Sequence, residues 1–463
     1  MQFSFDTKGE TQAGYRPLRF IEGPLSRFDG LAMLVGYGDK KILTPRKLIP
    51  LLRKALQFAK QNEARAISVD FKELRALAPK AISDAHLAQT IAEAFVMANY
   101  EHTAYKSAPK GGFKSVELVE VRNATTAAIK SAFEKGRIVG GEVNAARELA
   151  NTPGGDMTPE ALANAAIKAA EGTPVKVKIL GRAEMTALGM GAVLGVAKGS
   201  AEEPQFIIAE YWGTDRTKKP TVLVGKGVTF DTGGLQIKPG DHMYEMHMDM
   251  SGGAAVIHAV IAAAKLGLKK NVVALVPAVE NAPASNAFRP GDILRSMSGK
   301  TIEVLHTDAE GRIILADALT YAKRYKPASV VDVATLTGAS LIALGTVASA
   351  FMTNKGALVA PIMEAAEASG DYMWPLPLWE EYDPMVKGTF GDVPNISTMG
   401  NSREGGVIAG GKFLEVFAKE LECPWVHIDM APRMVATPED CLAKGAAGAP
   451  VRFLVRYIES GVK

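Results

Sequence analysis

Residues 222–250 read VLVGKGVTFDTGGLQIKPGDHMYEMHMDM, and the rest of the chain is understood from this stretch. Val222, Leu223 and Val224 form a short apolar run that predicts the end of a buried strand. Gly225 and Gly227 flank Lys226 and let the backbone turn sharply at a charged side chain. Asp231 leads into Thr232, Gly233 and Gly234, a turn able to aim its carboxylate inward. Asp249 precedes SGGAAVIHAVIAAAK at 251–265, an alanine-rich run of helical length, and an anionic side chain is favoured on the N-terminal side of a helix. A second stretch, HTDAEGRIILADAL at 306–319, sets Asp308 and Glu310 two residues apart. They follow the strand-like TIEVL at 301–305 and precede the helical GRIILADALTYAKR at 311–324. Alternation over two residues can point both carboxylates the same way.

Asp231, Asp249, Asp308 and Glu310 carry four negative charges, which two divalent cations would balance. Clustered without cations, such carboxylates repel and raise one another's pKa values. A metal pair roughly 3.5–4 Å apart relieves this and can bring a bridging water to hydroxide near neutral pH. Each fragment alone has an ordinary explanation. Asp beside Gly is common in α/β loops, GKG lacks the G-x-x-x-x-G-K-S/T order of a phosphate loop, and TDAEGR can be a capped helix start. Lys226 and Lys238 with four acids, in two apolar, glycine-bounded junctions, are harder to place on a solvated surface. The pattern points to a two-metal hydrolytic site.

VGKGVTFDTGG at 224–234, KPG at 238–240, MDMSGGAA at 248–255 and TDAEGRIILADAL at 307–319 resemble the leucine aminopeptidase, or cytosol aminopeptidase, family in order and interval. Weaker matches continue at NTPGGDMTP (151–159), DVATLTGA (332–339), WPLPLWEEY (374–382) and GAAGAPVR (445–452), so the resemblance spans roughly residues 140–460. It implies a metal-dependent exopeptidase that removes leucine and other, mainly apolar, residues from the N-termini of peptides. By the same resemblance Asp231 and Glu310 bridge both metals, Lys226 and Asp249 complete the tighter site, and Asp308 completes the exchangeable site through its carboxylate and backbone carbonyl. The implied cofactors are two divalent ions per subunit, Zn2+ or Mn2+ with Mg2+ and Co2+ as further options, and a bicarbonate ion. As a ligand Lys226 is a neutral amine, its pKa brought far below the usual ~10.4 by two adjacent dications. Lys238 stays charged, polarises the scissile carbonyl and stabilises the tetrahedral intermediate. The resemblance further implies that Arg312 holds a bicarbonate ion as general base, which fits the lack of a histidine at a matching position. Met246, Thr335 and Gly338 are implied to line the pocket for the first side chain. An apolar pocket separates single methylenes by only ~1–3 kcal/mol, so broad specificity is expected. The family further implies a cytoplasmic homohexamer with active sites facing an interior cavity. His306 stands where the family usually has Asn, and Thr232 where Ser is common. His306 is read as a satisfied loop histidine, and neither residue as a ligand.

Composition sets the outer bounds. The chain has 463 residues, 47% of them hydrophobic, enough for two or three domains with ample core. A net charge of +3 and the lack of a basic run argue against nucleic-acid binding as the main role and give no anionic-membrane signal. Salt-dependent retention of duplex DNA would revive that alternative. A two-metal phosphoesterase is the other alternative, and its phosphate would need more cationic contacts than Lys238 and Arg312 offer. Two cysteines, Cys423 and Cys441, suit a reducing cytosol better than a disulfide framework. The opening MQFSFDTKGE has no apolar signal core. Residues 333–354 carry no charge over a membrane-spanning length, but Gly338 and Gly345 interrupt them, which predicts a buried strand, loop and helix.

LAMLVGY (31–37) and AISVDFK (66–72) predict strands, Thr44-Pro45 opens a capped helix through Lys60, and residues 82–101 predict another helix. A long helical pattern runs from Thr125 to Leu149, and Thr158 caps a fresh helix at Pro159. Strands at 175–180, 206–212, 221–227, 271–278, 301–305, 329–336 and 425–430 then alternate with helices. That alternation predicts an α/β fold: a small N-terminal α/β domain and a larger C-terminal catalytic domain with a mostly parallel mixed sheet flanked by helices. The expected division is 1–125, a linker helix at 126–150, and a catalytic dinuclear-metal peptidase domain at 151–463. Ligands in such sheets sit beyond the carboxyl ends of strands, so the ends at Lys226 and Asp308 are expected to meet at one edge. GMGAVLG at 189–195 lacks the dinucleotide spacing and predicts a packing or active-site loop.

Overall fold

In the computed structural model, which describes residues 1–6, 11–110, 112–400 and 404–461, Thr44 caps the helix Pro45–Gln61. Its hydroxyl accepts the Lys47 amide at 3.3 Å, and Pro45 takes a first-turn position where no amide is needed. This helix belongs to a first unit comprising Met1–Asn144 and Ala436–Gly445. The unit's six-stranded sheet runs Gln2–Asp6, Leu118–Arg122, Ala66–Asp70, Arg16–Ile21, Ala32–Gly36, Arg27–Asp29. Leu48, Leu52 and Leu56, spaced by one helical turn, bury one stripe of the first long helix. Leu87, Ile91 and Phe95 do the same for the helix Asp84–Asn99, and both stripes share a core with Ile67, Val69, Val119 and Val121 of the strands.

A second unit comprises Ala145–Val435 and Ala446–Lys463, and the division between 144 and 145 falls inside the helix Ala127–Asn151. Its nine-stranded sheet runs Met373–Pro375, Ser349–Thr353, Trp425–Asp429, Ser329–Ala334, Thr221–Gly225, Asn271–Asn281, Gln205–Trp212, Lys176–Leu180, with Gly227–Asp231 pairing alongside the far half of Asn271–Asn281. The four central strands are parallel neighbours. Antiparallel pairing at Ser349–Thr353 and at Gln205–Trp212 makes the sheet mixed. The mostly parallel mixed sheet expected from the alternation is present. Val222 and Val224 enter the core beneath the helix Glu310–Ala322. Period-two alternation turns Leu223 to the other face, where the helix Ser251–Lys265 packs on the same strands. Both faces are covered, so the central strands read as continuous apolar runs.

Two local expectations change. TIEVL does not join the main sheet: only Thr301–Glu303 is strand, and it pairs with Ile293–Arg295 and Val393–Pro394 in a separate three-stranded sheet. Val304 still pairs with the backbone of Gly291 and Asp292, and beyond it the chain turns to a side chain, as Asn395 Oδ1 accepts the Leu305 amide at 2.8 Å. Nor do Asp308 and Glu310 sit on an alternating strand. Asp308 lies in a turn and Glu310 opens the helix Glu310–Ala322. The uncharged 333–354 stretch is the end of one buried strand, the helix Gly338–Leu344 and the strand Ser349–Thr353. Among the described residues no helix is long and apolar enough to cross a membrane. GMGAVLG becomes the short helix Gly191–Val196, and its Ala192 and Val193 amides are accepted by the buried Asp317 carboxylate at 3.0 and 2.9 Å, a packing role.

Candidate metal centre

Lys226 fills the one-residue gap between the strands Thr221–Gly225 and Gly227–Asp231. Its amide donates to Val333 O at 2.9 Å and its carbonyl accepts the Gly253 amide at 2.8 Å, so the backbone is pinned by the neighbouring strand on one side and by the helix Ser251–Lys265 on the other. The side chain then has one direction to run. Its Nζ reaches Asp249 Oδ2 at 2.7 Å and Glu310 Oε1 at 2.8 Å, and donates to Thr335 O at 3.1 Å. Gly311 makes room for it, since a Cβ at that position would lie 2.5 Å from Lys226 Cε. Asp231, at the end of its strand, turns Oδ1 to the Gly233 amide at 2.9 Å and to Asn281 Nδ2 at 2.8 Å. Its Oδ2 lies 2.8 Å from Lys238 Nζ, and Lys238 also pairs with Asp308. Asp249 sits just ahead of the helix Ser251–Lys265, and Thr335 Oγ1 donates to its Oδ1 at 2.6 Å. One carboxylate oxygen from each of Asp231, Asp308 and Glu310 lies within 4.8 Å of the other two. Strand end, turn and helix start thus converge on one buried acidic cluster, held by two lysines.

The electrostatics follow from burial and crowding. Burial pushes Asp231 up to about 7, and the Glu310 carboxylate adds to the shift against Lys238 and Lys226. Burial also pushes Asp249 up to about 7, despite the Lys226 ammonium beside it. Asp308 is raised as well, by burial and then by Glu310. For Glu310 burial works upward, but the ammonium groups of Lys226 and Lys238 outweigh it and hold the carboxyl low. Burial would lower both lysines, yet the surrounding carboxylates win and keep them above the ordinary lysine range. The depressed Lys226 pKa expected from the sequence belongs to an amine beside two dications, a different field. With the chain's own charges alone, four acids face two lysines, and burial together with this excess of negative charge raises Asp231, Asp249 and Asp308, while Glu310 stays low.

The donor atoms fit a pair of dications. Among the described residues, buried Glu310 Oε2 accepts no hydrogen bond, while Glu310 Oε1 and Asp249 Oδ2 meet only the Lys226 ammonium. Carboxylate oxygens dominate the set, with an amine beside them and neither thiol nor imidazole. That chemistry suits Mn2+ and Mg2+ and is within the range of Zn2+.

Arg312 lies two residues into the same helix and is buried. Burial pulls it down to about 10, with Asp429 and Glu310 opposing, and among the described residues its Nε has no hydrogen-bond partner. His306 Nδ1 accepts the Asp308 amide at 3.1 Å, which is the satisfied loop histidine the sequence suggested. Thr335 is buried against Asp249, whereas Met246 is half-buried and meets Asp249 through its carbonyl, 3.3 Å from the Asp249 amide. Gly338 is exposed at the start of its helix, with nothing within 4 Å of where a Cβ would stand.

Sequence reasoning missed the polar residues that hold the acids in place. Thr307 Oγ1 donates to Gly233 O at 2.6 Å and accepts the Gln236 amide at 3.0 Å, while Gln236 Oε1 accepts the Thr307 amide at 2.7 Å. Asn395 Nδ2 donates to His306 O at 2.6 Å, and Asn281 Nδ2 bridges Asp231 to Thr307 O. Single buried amides have no periodicity, and only the presence of Thr307 within the TDAEGR stretch hinted at this network.

Residues 144–455 match the catalytic-domain model of the cytosol aminopeptidase family, and residues 30–109 match the family's N-terminal-domain model. The chain belongs to the cytosol aminopeptidase family. This aminopeptidase is 41% identical over 433 residues to a probable cytosol aminopeptidase of Azoarcus sp. strain BH72, covering 90% of this chain and 85% of that one. A probable cytosol aminopeptidase of Burkholderia mallei strain SAVP1 is 45% identical over 361 residues, 78% of this chain and 70% of its own. Among solved structures, the bottromycin maturation enzyme BotP in complex with Mn superposes with a TM-score of 0.86 at 29% identity, over 97% of this chain and 100% of that one. A mutant of tomato leucine aminopeptidase gives 0.82 at 32% identity, over 94% and 83%. The aminopeptidase is therefore a hydrolase of a metal-dependent peptidase family, with the family's mixed α/β architecture in both parts.

Proposed function

We propose that this chain hydrolyses N-terminal residues, leucine and other mainly apolar ones, from peptides at a pair of divalent cations. The supporting observation is the buried cluster in which Asp231, Asp308 and Glu310 bring carboxylate oxygens within 4.8 Å of one another. Asp231 and Glu310 would serve both cations, Lys226 and Asp249 would complete the tighter site, and Asp308 would complete the exchangeable one. Zn2+ or Mn2+ is the proposed occupant, with Mg2+ and Co2+ as substitutes, and the Mn complex of the similarly folded BotP favours Mn2+. When bound, the cations supply Lewis-acid polarisation of an attacking water and of the scissile carbonyl. As a ligand Lys226 would be a neutral amine, its proton lost to solvent as the cations bind. Lys238 remains an ammonium, held by Asp231 and Asp308, and stabilises negative charge as it builds on the carbonyl oxygen. Arg312 keeps its charge at a pKa of about 10 and holds a bicarbonate ion, whose chemistry is that of a general base. Met246, Thr335 and Gly338 line the pocket for the first side chain. All of this chemistry lies in the 151–463 part, after the 1–125 domain and the 126–150 helix, and the active assembly is a cytoplasmic homohexamer.

Leucine p-nitroanilide and bis-p-nitrophenyl phosphate, each with added Mn2+, separate this reading from a two-metal phosphoesterase. Release from the anilide, together with two ions per chain by elemental analysis, is expected. Release from the phosphodiester alone would overturn the assignment. Sedimentation should show six-chain particles.

A further inference from the structure

The long central strand Asn271–Asn281 begins and ends in asparagine, and its two amides hold different things. Asn271 Nδ2 donates to Asp215 O at 2.7 Å and Lys218 O at 2.8 Å, and its Oδ1 accepts the Thr214 amide at 3.1 Å. It ties down a turn away from the acids. Asn281 is fully buried. Its Nδ2 donates to Asp231 Oδ1 at 2.8 Å and to Thr307 O at 3.0 Å, and its carbonyl accepts the Thr232 amide at 2.9 Å and the Thr232 hydroxyl at 2.8 Å. Asp231 Oδ1 also accepts the Gly233 amide at 2.9 Å. A carboxylate oxygen offers two in-plane lone pairs, so these two donors fill Oδ1. Oδ2 is left facing Lys238 and the cluster. There is no slack in the arrangement: at Gly234, where φ is +69°, a Cβ would lie 2.9 Å from Asn281 Oδ1 and 3.0 Å from Thr307 Cβ.

We propose that Asn281 is a positioning residue that makes Asp231 a one-oxygen ligand. It fills Oδ1 jointly with the Gly233 amide and ties that carboxylate to the Thr307 carbonyl beside Asp308, so that Oδ2 alone meets the cation pair. This role rests on the two-cation reading above. A hydrogen bond to the non-ligating oxygen fixes the plane of a carboxylate and tunes its donor strength. Without it Asp231 is free to rotate and chelate one cation through both oxygens, which draws the shared oxygen away from the other. The spacing between Asp231 and Asp308 loosens at the same time.

Parent protein, Asn281→Asp, Asn281→Ala and Asn271→Ala are compared for Mn2+ affinity by chelator competition, for the visible spectrum of the Co2+ form, for kcat and KM, and for melting temperature. Asn281→Asp keeps the size and removes the donor, and Asn281→Ala removes it without adding charge. Both are expected to weaken the affinity for at least one ion by about 10–100-fold, to shift the Co2+ band, and to lower kcat with little change in KM. Asn271→Ala, a buried amide lost from the other end of the same strand, should lower the melting temperature and leave affinity and Co2+ band as in the parent. Asn281 variants with the parental affinity and band, or with losses that Asn271→Ala reproduces, overturn the proposal. A parent that takes up no metal removes the two-cation reading and this role together, whereas a metal-binding parent with indifferent variants removes only this role. Should both Asn281 variants fail to fold, a crystal structure of the Mn2+-loaded parent decides: coordination through Oδ2 alone upholds the assignment, and Oδ1 in the coordination shell defeats it.

Discussion

Lys226 and Lys238 look alike in sequence, each a lysine beside glycine or proline within one motif. Their surroundings separate them. Lys226 is 4% exposed at its side chain, between two acids of comparable burial, while Lys238 is 13% exposed and pairs with Asp308, itself 29% exposed. Lys238 and Asp308 therefore stand on the open side of the cluster, the side from which the proposed reading brings a substrate carbonyl. Lys238→Ala is expected to lower kcat by about 10²–10³-fold, the usual cost of one oxyanion donor, and to retain both ions by elemental analysis. Loss of an ion would move Lys238 from electrophile to ligand. Asp308→Ala should remove the more labile ion and most of the turnover with it. A variant that keeps two ions and parental kcat would strike Asp308 from the ligand set. Arg312→Ala should flatten the dependence of rate on added bicarbonate, and a variant with the parental response would remove Arg312 from that role.

At the level of elements, the site exists because a strand end, a turn and a helix start are locked together. The turn between Glu303 and Glu310 has little regular backbone pairing of its own. Asn395 replaces it: Oδ1 accepts the Leu305 and His306 amides at 2.8 and 3.2 Å, and Nδ2 donates to His306 O at 2.6 Å. Asn395→Ala strands these part-buried groups, and an unsatisfied group costs about 1–3 kcal/mol where water cannot reach it. A drop of about 2 kcal/mol or more in stability by urea titration is expected, with weaker metal binding as Asp308 and Glu310 drift apart. An unchanged midpoint would mean the turn holds itself. This is also where the sequence stops being legible. The strand ending at Lys226, the helix after Asp249 and the helix opening at Glu310 follow from apolar periodicity bounded by glycine. The placement of Thr301–Glu303 outside the main sheet does not, because it depends on which distant amides Asn395 Oδ1 and Glu303 Oε1 accept, Leu305 and Thr389, across some ninety residues of chain. Local pattern carries no information about such pairings. The six residues that supply the acids and lysines were readable from charge in apolar, glycine-rich junctions; the amides that aim them were not.

For the molecule as a whole, the cluster couples folding to pH and to metal. In the chelated, folded chain Asp231 and Asp249 keep their protons up to about pH 7, whereas the unfolded chain releases them near 3.8. Between those values the folded state binds more protons than the unfolded one, so these two groups contribute less stability as pH rises. Lys226 and Lys238, raised from 10.5, titrate above this window, and Glu310, held below 4.5, acts beneath it, so neither sets the slope. Dications reverse the sign, because they bind ionised carboxylates and displace the protons. Chelated protein should therefore lose melting temperature between about pH 5 and pH 7.5, while the further stabilisation given by saturating Mn2+ grows over the same interval. Asp231→Asn removes one of the buried acids raised by burial, leaving Asp249, Asp308 and Asp317, and should lessen the chelated slope. A parent and an Asp231→Asn variant with equal slopes would show that these acids ionise freely despite their burial, and the electrostatic need for cations at this centre would go with them.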